Sequence, residues 1–122
     1  MIPSATESEK ALASARKALD EHERFWLGNP GKVEAELYAL DLLTESERFV
    51  AVDFALQEIS GADRKRPAPP NHLSSHSPFR GLQLFAFKWQ SKHFGKLMYL
   101  KFALVSDSGP TKLALFSLHE SD

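Results

Sequence analysis

At residue 82 the hydrophobic period changes, and no other feature restricts the fold as much. LQLFAFKWQ (82–90), KLMYLKFALV (96–105) and KLALFSLH (112–119) alternate with a period of two, joined by the short segments SKHFG and SDSGPT. Alternation sends successive side chains to opposite faces of a strand, and short turns make neighbouring strands antiparallel. One face of such a meander collects Phe85, Phe87, Trp89, Met98, Leu100, Phe102, Leu104, Ala114, Phe116 and Leu118, the expected core face. The other collects Lys88, Gln90, Tyr99, Lys101, Ser117 and His119. A sheet with one apolar face needs a second layer to bury it.

The first half of the chain supplies that layer. Thr6 and Glu9 have capping-box spacing, and the helix formers that follow run to Gly28, Asn29 and Pro30. The stripe of this first helix, Leu12, Ala15, Leu19 and Trp26, is thin, which predicts a peripheral element over residues 1–27. Asn29 and Pro30 fit the cap and first position of a second helix with Val33, Leu37, Leu40 and Leu43 inward. Thr44 and Glu47 cap a third, with Phe49, Val52, Leu56 and Ile59 inward and Gly61 closing it. Residues 61–81 carry four prolines, two histidines and four basic residues without periodicity, so a long loop is expected there. The expectation is one α+β domain, 1–122, whose N-terminal helices pack on a three-stranded or larger antiparallel sheet at 82–119.

Charge is divided between the halves. Residues 1–61 hold six Lys/Arg against twelve Asp/Glu, and residues 62–122 hold nine against four together with four of the five histidines. The C-terminal half is therefore expected to meet an anion, and the acidic N-terminal half to keep the protein soluble or to screen that surface, with the first helix doing part of that screening in cis. With no cysteine, disulfides and thiolate metal sites are excluded. MIPSATESEK has no apolar run for a leader or a span, so a soluble, cytoplasmic protein away from membranes is expected. His72 and His76 have the spacing of a helical metal pair, but they lack the glutamate of HExxH and prolines flank them. Neither metal nor cofactor is expected. Glycine-rich phosphate loops, a nucleophile elbow and a dinucleotide fingerprint are all missing.

The polar strand face has the residue types that RNA cleavage without a metal requires: a base, an acid and cations beside the phosphorus. His119 is suited to act as acid or base, Tyr99 to donate or orient a proton, and Lys88, Lys101 and Arg80 to hold phosphate. RKRP (64–67) offers more positive charge, and Phe79 an aromatic ring for a base.

The order of helices before an antiparallel sheet, with WQ on one strand, LMYLKF on the next and FSLHE at the end, resembles the MqsR-type RNase toxins of the RelE-like group over roughly residues 45–120. The resemblance implies a metal-independent endoribonuclease that cuts single-stranded RNA, and a cognate antitoxin as protein partner. It places the catalytic glutamine on Gln90, the catalytic tyrosine on Tyr99 and the C-terminal catalytic lysine on His119. The family's third-helix lysine has no equivalent in DFALQE, where Gln57 is the nearest polar residue. Two other classes stay open. One is a non-catalytic protein-interaction module, of partner or immunity type, using Phe79, Pro69 and Pro70. The other is an RNA-binding protein that does not cleave.

Overall fold

The computed structural model describes residues 4–65, 82–106 and 109–121. Three helices precede most of a five-stranded sheet, giving an α+β fold. Helix α1 (Ala5–Asp20) starts from a capping box, but the pair is Ser4 and Glu7 rather than Thr6 and Glu9. Glu9 is occupied elsewhere, accepting a hydrogen bond from the Gly61 N–H. The helix ends well before Trp26, with His22 at φ 61° turning the chain. Arg24–Trp26 then form strand β1, which the sequence suggested as helix.

Helix α2 (Pro30–Ala39) has the expected Asn29 cap and Pro30 start. Helix α3 (Glu45–Glu58) has the expected Thr44–Glu47 capping box. Leu43, assigned to the stripe of α2, is exposed in the connection between them. A 3-10 turn at Gly61–Asp63 and the short strand β2 (Arg64–Lys65) follow, so the long loop begins with structure of its own. Strands β3 (Phe85–Ser91), β4 (Lys96–Val105) and β5 (Lys112–Glu120) form the expected meander. Sheet order is β1-β5-β4-β3-β2, and β1 lies parallel to β5. The sheet is thus mixed at one edge, where β1 meets a strand far along the chain rather than one joined to it by a hairpin turn.

Helices α1 and α3 bury the sheet's main apolar face through Leu12, Ala15, Leu19, Val52 and Leu56, which meet Phe87, Trp89, Met98, Leu100 and Phe102. The first helix is therefore not peripheral: its Leu12 and Ala15 are fully buried. Its small alanines let it sit close to the sheet, and burying such side chains is a main source of stability. This position also corrects the expected screening role, since α1 lies against the face opposite Lys88, Tyr99 and His119. Helix α2 runs beside β5 and adds Val33 and Leu37 to the same core.

The alternation of β5 is broken once. Lys101 pairs with Ser117 but Phe102 pairs with Leu115, leaving Phe116 as an extra residue in a β-bulge. Leu113, Leu115 and Leu118 therefore all face the helices. Ala114 and Phe116, expected there, join a second cluster with Leu84 and Ala103 on the opposite face. Among the described residues, no helix is long and apolar enough to cross a membrane.

Candidate functional site

Strand register assembles the polar face into rows. Lys88 lies opposite Tyr99, and Tyr99 opposite His119. In the next row Lys101 stands between Ala86 and Ser117. Directly opposed side chains in an antiparallel pair lie within reach of one another. The Tyr99 and His119 rings accordingly sit with centroids 5.0 Å apart, tilted by 31°. The bulge at Phe116 makes this possible, because it restores Ser117 and His119 to the open side while Leu113 and Leu115 stay in the core.

His119 is held from one side. Its Nδ1 lies 2.7 Å from the Glu120 carbonyl oxygen, which can only accept, so Nδ1 carries a proton and donates. The nitrogen without this engagement is Nε2. It faces Glu36 of α2, with Oε2 at 3.9 Å. Glu36 was missed in the sequence because it comes from the acidic half. The available signal was its place beside Val33 and Leu37: a helix burying those residues turns positions 32 and 36 to one flank, four residues apart.

The surroundings tune the other two groups. Burial pushes the Tyr99 hydroxyl above its ordinary pKa, and the negative charge of Glu36 adds to the effect. Tyr99 therefore stays protonated as a donor through the neutral range. Burial also lowers the Lys101 pKa, nearby Lys32 lowers it further, and Glu36 opposes both. Two amines and a carboxylate thus converge beside the imidazole, an arrangement suited to binding an anion and moving a proton near it.

Gln90 stands apart from this group. It lies one step further along the same face of β3, exposed and opposite Leu97. Arg80 falls outside the described residues, as do His72, His76, Phe79, Pro69 and Pro70. Of RKRP, Arg64 and Lys65 lie in β2. Gln57 bonds Asp53 on α3, on the opposite side of the sheet, so it does not stand in for a third-helix lysine at this site. Trp89 is 4% exposed in the core, and its indole N–H donates to Glu58 at 3.0 Å. A cleft of about 250 Å³ lined by Leu19, Asp20, His22, Arg24 and Phe49 opens on the helical side. Arg24 there is spent on the Leu19 carbonyl and the Phe49 ring, and none of the sheet's polar row reaches it.

No family model, curated protein or solved structure matches this chain.

Proposed function

We propose that the open sheet face binds single-stranded RNA and cleaves it by metal-independent attack of the 2'-hydroxyl on the adjacent phosphorus. The observation that carries this reading is the in-register row Lys88–Tyr99–His119, with Lys101 in the row beside it. His119 serves as general acid or base through Nε2, because Nδ1 is committed to the Glu120 carbonyl. Tyr99, kept neutral by burial, donates to a phosphate oxygen as charge develops on it. Lys88 and Lys101 supply cations to the phosphate, and Gln90 contacts the substrate further along β3. The resemblance of the WQ, LMYLKF and FSLHE segments to MqsR-type toxins favours the same reading and brings with it a cognate antitoxin covering this face.

The test is incubation of the protein, beside its His119→Ala and Tyr99→Phe forms, with mixed single-stranded RNA in EDTA, followed by mapping of the ends. Cleavage to cyclic phosphate ends is expected, with His119→Ala slower by about 100-fold or more. Intact RNA with the unaltered protein, or equal cutting by all three forms, refutes the nuclease reading.

A further inference from the structure

Glu36 is a largely hidden carboxylate that no hydrogen bond holds among the described residues. Its helical neighbours Val33 and Leu37 anchor α2 in the core, and the Arg48 guanidinium pairs with Glu34 instead. Yet the Glu36 side chain is only 13% exposed, and its Oε1 is buried with no hydrogen-bond partner among the described residues. Its other oxygen stands 3.9 Å from His119 Nε2, too far for a hydrogen bond. A carboxylate held largely out of water with no donor on either oxygen weakens the folded state, and the oxygen that is not sealed in, Oε2, is the one beside His119. Among the described residues, Tyr99 and Lys101 from β4 and His119 from β5 face it, and Lys32 of its own helix lies near Lys101.

We propose that Glu36 is the general base of the reaction and His119 its general acid; the assignment rests on the nuclease reading above. The Glu36 carboxylate takes the proton of the ribose 2'-hydroxyl, and the O2'–P bond forms. The P–O5' bond breaks, and the proton on His119 Nε2 passes to the departing O5'. The products are a 2',3'-cyclic phosphate and a free 5'-hydroxyl, leaving a protonated Glu36 and a neutral His119. Once the product departs, Glu36 gives its proton to water and Nε2 takes one from water, and both groups regain their starting forms. No oxidant, metal or second substrate enters the balance.

The experiment compares two substrates in EDTA: an RNA dinucleotide, and uridine 3'-(para-nitrophenyl phosphate), whose leaving group departs without needing a proton. Glu36→Gln is expected to lose about 100-fold or more on both substrates, because both need the 2'-proton removed. His119→Ala is expected to lose as much on the dinucleotide and to recover most of its rate on the aryl ester. Glu36→Asp, which keeps a carboxylate, retains part of the activity, as a misfolded variant does not. Melting of all variants near the unaltered protein's temperature shows that the fold is intact. A Glu36→Gln rate equal to the unaltered protein's overturns the assignment, as does recovery on the aryl ester by Glu36→Gln rather than His119→Ala. An unaltered protein inactive on both substrates refutes the nuclease reading itself, and this assignment with it.

Discussion

Glu58 ties the last turn of α3 to the turn between β3 and β4, and its removal should loosen that end of the molecule in a pH-dependent way. One carboxylate oxygen accepts from the Trp89 indole at 3.0 Å and the Ser91 hydroxyl at 2.6 Å. The other accepts from the backbone N–H groups of Lys92 at 2.8 Å and His93 at 3.0 Å. Burial pushes the Glu58 pKa up, but these donors outweigh it and bring the value from 4.5 down to about 2. At about 1.36 kcal/mol per pH unit the drop corresponds to about 3.4 kcal/mol, and screening by solvent at this partly exposed site reduces it to about 1–2 kcal/mol.

The folded pKa is depressed, so the stabilisation is complete above pH 4.5 and is lost as pH falls towards 2. At about pH 3 less than half of it should remain. Urea unfolding of the protein and of Glu58→Gln, at neutral pH and at about pH 3, measures the difference directly. We expect Glu58→Gln to be weaker by about 1–2 kcal/mol at neutral pH, about 3–10 °C in melting temperature, and the gap to narrow in acid. A gap that stays the same at both pH values refutes the argument, because the lost contribution would then not come from an ionised acceptor.

Two further outcomes test the placement of α2. A side chain at Gly28 would run into the Phe116 carbonyl oxygen and come within 2.9 Å of Val33 Cγ2, so Gly28→Ala should cost about 1–3 kcal/mol in urea unfolding and, on the proposed nuclease reading, lower RNA cleavage by displacing Glu36. Replacing Glu36 by Gln removes a charge that raises the pKa of both Tyr99 and Lys101, so both values should fall; ultraviolet titration in a Tyr38→Phe background and NMR of the Lys101 side chain read them, and unchanged values would mean that Glu36 does not face them.

Much of the scaffold could be read from local signals. Asn29 with Pro30, and Thr44 with Glu47, cap their helices as the residue types require, and the β4 limits follow the alternation from Lys96 to Val105. The grouping of Lys88, Tyr99, Lys101 and His119 on one face also follows from alternation, and strand register then sets their rows. What escaped depends on distant partners. Ser4 and Thr6 both begin a capping-box spacing, and the choice between them rests on Glu9 being claimed by Gly61, fifty-two residues away. Arg24–Trp26 become a strand because β5 offers an edge, which no propensity within three residues can signal. The bulge moves Ala114 and Phe116 off the expected core face, and an inserted residue of ordinary strand type leaves no mark in the sequence. Glu36 reaches the site only through the packing of α2 beside β5, a long-range contact.

That packing also bears on how the protein behaves in a crowded solution. β1 pairs with β5 only over Leu113–Leu115, and beyond Phe116 it is α2 that runs alongside. A bare strand edge is a template on which another chain can add, and covering it with a helix is one of the ways that proteins prevent this. Helix α2 therefore protects against self-association as well as presenting Glu36 to His119. A substitution that unseats it would expose the end of β5 where the polar row lies, so aggregation and, on the proposed nuclease reading, lost cleavage should appear together in the same variants.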